Sequence, residues 1–344
     1  MQQPAWRGDW SAHPLCESTK EPLATPAVVR MFPQAMRALR TGLSGRYFVG
    51  AHRDGITRTL FALQSMVERA IPGVVTAYHS FSRGKRADPL RHAYLSFLQS
   101  GNCTLLTGKT EDLRIRASQR FVSAGRVSPK PLIILLADNV QDSVPEDVLA
   151  VDDLRHELAR NGISLTVLAA GHSLGMRTWI DNMSSGGIET SVRKQLAGIE
   201  LPFTPIASRA DLKAILALID TTTSDDTGET WTSFFLPQQT ARGFLLANEV
   251  GNFVGCLGSQ ENVNRIFSTG IPQGAFFDSV RLYLDSAAEN DGGIINEEMK
   301  RAFWATALHD SGFFDLVEDK ALDGVRNGSM PEPCEGQFTT TGEA

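Results

Sequence analysis

The residues whose types and spacing could do chemistry begin with Gly50-Ala-His-Arg-Asp-Gly-Ile-Thr57. Its glycines and hydroxyl fall as in the phosphate-cradling pattern GxxxxGK[ST]. In that pattern backbone N–H groups wrap phosphates at a helix N-terminus, where the dipole favours negative charge. The lysine reaches the outer phosphates and the hydroxyl ligates magnesium. Here Ile56 stands in the lysine position, while Thr57 keeps the hydroxyl. The spacing assigns Gly50, His52, Arg53, Gly55, Ile56 and Thr57 to nucleotide contact, with His52 and Arg53 as substitute cations. The bland alternative is an ordinary strand-to-helix turn.

A second segment, Leu132–Gln141 (LIILLADNVQ), is an apolar strand ending in an acid. Asp138 takes the place of a magnesium-organising aspartate, shared with Thr57. The next position commonly holds a carboxylate that polarises water, and here it is Asn139. An amide cannot accept a proton as a carboxylate does, so general-base help is lost. A core strand ending in a turn aspartate is the structural alternative. A third segment, Gly171-His-Ser-Leu-Gly175, fits the GxSxG nucleophile elbow. It opens an enzyme alternative, a serine esterase with Ser173 as nucleophile and Asp278 and His309 following in order. The GKT at Gly108–Thr110 lacks its upstream glycine, Cys103 standing there, and reads as a loop before a helix.

The net charge of -6 conceals an asymmetry. Residues 26–130 hold 17 Lys and Arg against 5 Asp and Glu, and the remainder holds 16 against 34. Such a split points to a polyanion-binding half. Arg83, Lys85 and Arg86 in FSRGKRADPL form a basic loop whose glycine lets backbone approach phosphates. Arg114, Arg116 and Arg120 follow on one predicted helix, 116 and 120 on one face. A solvated surface is the alternative for all six. Aromatic residues are not interleaved with them, which favours duplex DNA over single strands.

These residues need elements to position them, and apolar runs alternating with helical patterns supply a parallel sheet covered on both faces. Strands are predicted over 46–49, 74–79, 132–137, 163–170 and near 201–205. Helices are predicted over 56–70, 90–99, 111–124, 146–160 and 210–219, and beyond residue 228 over 240–248, 276–288 and 296–307. The expected organisation is a tail over 1–25, an α/β core over 26–225, a smaller α-helical lid over 226–325 and a disordered tail over 326–344. Trp6 and Trp10 are apolar enough for the first tail to dock on a partner. The chain shows neither an export signal nor a run of roughly 18–20 apolar residues able to span a bilayer. Four dispersed cysteines suit a reducing cytoplasm.

Taken in order, FVGAHRDGITRTL, SFSRGKR, LIILLADNVQ, TVLAAGHSLG and VRKQLAGIELPFTPIASRADLKAILALID resemble the AAA+ transposition regulators of the TniB and TnsC type, distantly related to MuB. The resemblance covers roughly residues 30–310. It implies a P-loop AAA+ core with a helical lid, ATP and Mg2+ as cofactors, and double-stranded DNA and a transposase as partners. It also implies assembly as a homo-oligomer or a mixed AAA+ ring. By position, Gly50, Gly55 and Thr57 contact nucleotide, Asp138 holds magnesium, His172 or Ser173 senses the γ-phosphate, and Arg193 is an arginine finger for a neighbouring subunit. Ile56 and Asn139 depart from the family pattern, so impaired or absent hydrolysis is expected. A third alternative is a P-loop pseudo-ATPase scaffold that does not act on DNA.

Overall fold

The computed structural model describes His13, Leu15 and residues 22–82, 87–100, 103–201, 203–223 and 228–326. Arg83, Lys85 and Arg86, Trp6 and Trp10, Cys16 and Cys334, and most of both expected tails lie outside the described residues. Five strands, β1 (Arg46–Gly50), β2 (Val75–Ser80), β3 (Leu132–Asp138), β4 (Ser164–His172) and β5 (Ile199–Glu200), form one sheet in the order β2-β3-β4-β1-β5. Every pairing is parallel, with Gly50 beside His172 and Ser80 beside Asp138. The carboxyl ends of β1 to β4 therefore finish on one rim.

Helices α1 (Pro26–Thr41) and α2 (Ile56–Ala70) cover one face of the sheet. The other face carries α3 (Pro89–Ser100), α4 (Thr110–Val127), α5 (Pro145–Arg160), α6 (Ser173–Ser185) and α7 (Thr190–Leu196). Strand β3 shows how the sequence dictates this sandwich. Ile134 and Leu136 join the α1/α2 core, while Ile133, Leu135 and Ala137 join the opposite one. Side chains alternate along a strand, so a run apolar at every position is buried on both sides.

The chain then turns helical, through α8 (Arg209–Thr221), α9 (Trp231–Phe235), α10 (Pro237–Ala241), α11 (Val250–Gly255), α12 (Gln260–Thr269), α13 (Gln273–Ala288), α14 (Glu297–Asp310) and α15 (Phe313–Arg326). These build a third core around Trp231, Phe253, Phe276, Tyr283 and Trp304. Helix α8 contributes Leu212, Ile215, Leu216 and Ile219 to it. The fold class is the expected one, an α/β core with its parallel sheet covered by helices and an α-helical part behind it. The single helix expected over 240–248 is replaced by α10 and a 3-10 turn over Leu246–Glu249. The reason is Gly243, whose φ of 89° breaks helical continuity. Among the described residues no helix is long and apolar enough to cross a membrane.

Candidate functional site

Strand β1 ends at Gly50 and α2 begins at Ile56, so the predicted loop is indeed a strand–loop–helix at the carboxyl rim. Arg53 and Gly55 take left-handed conformations, with φ of 63° and 81°. Such alternation turns successive N–H groups toward one concavity, a setting suited to anions. A cleft of about 290 Å³ opens there, lined by residues 51–58, Asp138, Asn139, Gly171, His172 and Gly274. Ligands of open parallel sheets bind at this rim.

Thr57 and Asp138 meet in this cleft. The Thr57 hydroxyl donates to Asp138 Oδ2 at 2.7 Å across 81 residues of sequence. Tyr78 OH donates to the same oxygen at 2.8 Å, and the Asn139 N–H donates to Oδ1 at 2.9 Å. Burial first, and then the neighbouring Asp138, push the Tyr78 hydroxyl well above its ordinary range, so it stays a donor. Asn139 adopts φ 54° and its amide donates to Ser80 Oγ at 3.1 Å.

Ile56 turns away from phosphate chemistry. Its side chain is buried with Leu60, Leu63 and Phe48 in the α1/α2 core, and a Cβ added at Gly50 would lie 2.9 Å from its Cδ1. The predicted loop cations fare differently from each other. Arg53 forms an ion pair with Asp278 of α13, which also pairs with Arg281. His52 lies with its ring 5.5 Å from that of His172, at the end of β4. Burial, and next the His52 charge, hold the His172 imidazole below its ordinary value. Its backbone N–H donates to Gln141 Oε1 at 3.0 Å.

The helical part closes over the loop. The Gly274 N–H donates to Arg53 O at 2.8 Å, and a Cβ at Gly55 would meet Gln273 at 3.1 Å. A small pocket beside the loop is lined by Leu23, Thr25, Val28, Arg58, Thr59, Gln273 and Phe277. Two buried polar atoms on it, Thr25 Oγ1 and Gln273 Nε2, lack partners. Burial also lowers the Arg58 guanidinium from its ordinary value.

Other predicted residues lie elsewhere. Arg193, on α7, has a buried Nε without a partner and sits near Tyr47 and Glu200, away from the cleft of its own chain. Arg114 is held by Glu111 through two hydrogen bonds. Arg116 donates to the carbonyls of Leu105, Thr107 and Asp112, binding down the GKT loop. Arg120 lies on the same helix, α4. The GxSxG residues do form a strand-to-helix turn, yet the acid and base are spent elsewhere. Asp278 pairs with Arg53 and Arg281, His309 pairs with its neighbour Asp310, and Ser173 carries no side-chain hydrogen bond among the described residues.

Reading the sequence missed Asp54, Tyr78, Gln141, Gln273 and Lys320. Parallel pairing of β2 with β3 puts Ser80 beside Asp138, whereas Tyr78 sits opposite Leu136 and reaches Asp138 only through the length of its side chain. Gln273 and Lys320 come from distant helices and leave no local signal.

No protein-family model matches the sequence, and no curated protein matches it. Solved structures similar to it include the Aeropyrum pernix ORC2 protein in an ADP form, with a TM-score of 0.49 and 12% identity over 87% of this chain and 72% of that one. Cdc6p from Pyrobaculum aerophilum has a TM-score of 0.41 and 13% identity over 91% and 89%. AMPPCP-bound DnaA from Aquifex aeolicus has a TM-score of 0.34 and 14% identity over 89% and 94%. The chemistry of the site follows from this chain's own residues.

Proposed function

We propose that this chain is an AAA+-type P-loop protein that holds ATP or ADP in the β1–α2 cleft, hydrolyses it poorly or not at all, and works as a DNA-binding adaptor in transposition. The observation that carries the nucleotide reading is the 2.7 Å bond between Thr57 and Asp138 beside a loop with two left-handed residues. A hydroxyl at a helix start and a carboxylate at a strand end are the pair that would share a magnesium ion, with Thr57 and Asp138 as its protein ligands. Left-handed Arg53 and Gly55 in the loop, with Thr57 and Asp138 beside them in one cleft, are a donor and ligand set that fits the phosphates of a nucleotide. When bound, Mg2+ would neutralise phosphate charge. In this reading Gly50, His52, Arg53 and Gly55 contact the phosphates, and His172, which lines the cleft, or Ser173 next to it senses a γ-phosphate.

Two substitutions argue against turnover. Ile56 leaves the phosphates without the loop lysine, and Asn139 leaves water without a base. Arg193, which lies away from the cleft of its own chain, is in this reading the arginine finger for a neighbouring subunit in a homo-oligomer or mixed ring. The boundary between core and lid is proposed at the start of α8, earlier than residue 225, because α8 packs with the helical core. DNA association rests on the basic 26–130 half, in which Arg83, Lys85 and Arg86 form the leading contact set and Arg120 a secondary one. Arg114 and Arg116 belong with Arg120 to that secondary set, all three on α4. A transposase as partner follows from the sequence resemblance alone.

The test of the pocket is binding of a fluorescent ADP analogue with and without Mg2+. Wild type is expected to bind, Thr57→Ala and Asp138→Asn to lose the magnesium dependence, and ATP turnover to stay at background. Turnover well above background that Asp138→Asn abolishes would overturn the hydrolysis-poor reading. Absence of binding would overturn the nucleotide reading.

A further inference from the structure

The last helix reaches into the phosphate loop. Lys320 of α15 donates from Nζ to Asp54 Oδ1 at 2.6 Å, across 266 residues of sequence. Both side chains are buried, 9% and 2% exposed. The other Asp54 oxygen accepts the Ala51 N–H at 2.8 Å. Asp54 is packed under the loop, since a Cβ added at Gly50 would lie 3.0 Å from its Oδ2. The ammonium sits close to Gly270, where an added Cβ would be 3.5 Å from Nζ.

An acid is an odd residue for a loop whose amides gather anions. Its carboxylate takes one amide for itself and places negative charge where phosphate charge must go. Left unpaired at this depth it would be costly. A buried ion pair adds little stability beyond what apolar packing of the same volume supplies, while removing one partner leaves an uncompensated buried charge. Burial pushes the Asp54 carboxyl up and the Lys320 ammonium down, and each partner offsets the other's shift. Lys320 is not among the cleft-lining residues and acts through Asp54.

We propose that Lys320 is a positioning residue for the phosphate loop: by neutralising Asp54 it removes the negative charge that would oppose a polyphosphate there, so anion binding in the cleft requires α15 to be docked. This rests on the nucleotide reading above. The loop lost a cation at position 56 and draws its compensating charge from the far end of the chain. The ligand class is a di- or triphosphate, because an uncharged nucleoside would not sense the Asp54 charge.

Calorimetric titration of the full chain with pyrophosphate, ADP, ATP and adenosine tests this. Lys320→Met is expected to weaken pyrophosphate and ADP by roughly tenfold or more, the size of one uncompensated charge near a protein surface. ATP should weaken further, and adenosine should stay within about twofold. Asp54→Asn combined with Lys320→Met should recover polyphosphate binding, because the offending carboxylate is gone. A uniform loss across all four ligands, or no recovery in the paired variant, would overturn the proposal. Should Lys320→Met not fold, the paired variant alone decides, and it must bind pyrophosphate at least as well as wild type. If wild type binds no ligand, the nucleotide reading falls and amide exchange judges the latch. Lys320→Met must then speed exchange over residues 51–57 and the paired variant must restore it; unchanged exchange overturns the latch as well.

Discussion

Asp138 is the residue on which the rim is organised. Its carboxylate accepts from Thr57, Tyr78 and the Asn139 N–H, and it is 2% exposed. Truncation to alanine removes the shared acceptor of the Thr57 and Tyr78 hydroxyls and the Asn139 N–H at a buried position. Asp138→Ala is therefore expected to cost roughly 1–3 kcal/mol in urea unfolding, and a midpoint indistinguishable from wild type would contradict that network. Two other positions carry the proposed loss of hydrolysis. Ile56→Lys should raise ADP affinity by roughly tenfold at some cost to the α1/α2 core, because the longer charged side chain leaves that core for the cleft that residue 56 also lines. Turnover should appear only when Asn139→Glu is added, since affinity alone supplies no base. Equal turnover in Ile56→Lys with and without Asn139→Glu would show that Asn139 is not the limiting departure.

At the scale of elements, what the chain announces and what it conceals can be told apart physically. Strand β3 announces itself because burial on both faces demands an unbroken apolar run. The β1–α2 turn does so through glycines that the backbone needs. Gly55 sits at φ 81° with Gln273 close by, so Gly55→Ala should cost roughly 1–2 kcal/mol or more and weaken nucleotide binding. An unchanged thermal midpoint would argue that the loop adapts freely. Helix α15, by contrast, falls where the sequence reads as the end of the lid, and nothing local links Lys320 to Asp54. Contacts between segments 266 residues apart are set by tertiary packing alone.

The segment at His13 and Leu15 is a second concealed element. His13 packs against Phe234, Phe235 and Trp231 with rings 4.5, 4.9 and 5.6 Å apart. Leu15 N–H donates to its Nδ1 at 3.1 Å, and Arg281 reaches Leu15 O. Burial lowers the His13 imidazole from 6.5 to about 4. A group whose folded value is depressed in this way takes up its proton more readily when undocked, so docking is complete above about 6.5 and lost as pH falls toward about 4. Trp231 fluorescence should report that release on acidification, and His13→Phe should abolish it. A pH response unaltered by His13→Phe would place the titrating group elsewhere.

For the whole molecule, three cores meet at one rim. The sheet supplies Gly50, Asp138 and His172, and the helical part supplies Gln273, Gly274, Asp278 and Lys320. A nucleotide there would touch both, which is how ligand binding could be read at a distance by DNA or a partner. The charge asymmetry of the chain supports the DNA side, because cations that release counterions from a duplex produce binding that falls steeply with salt. The most direct test is binding of a labelled duplex across a salt series, with and without ATP and Mg2+. Expected are tight binding at low salt, a log–log slope of roughly -0.9 per phosphate contacted, loss of part of that slope in Lys85→Glu/Arg86→Glu, and a shift in affinity when ATP and Mg2+ are added. No binding at low salt, or binding indifferent to both salt and nucleotide, would contradict the proposed DNA-binding role.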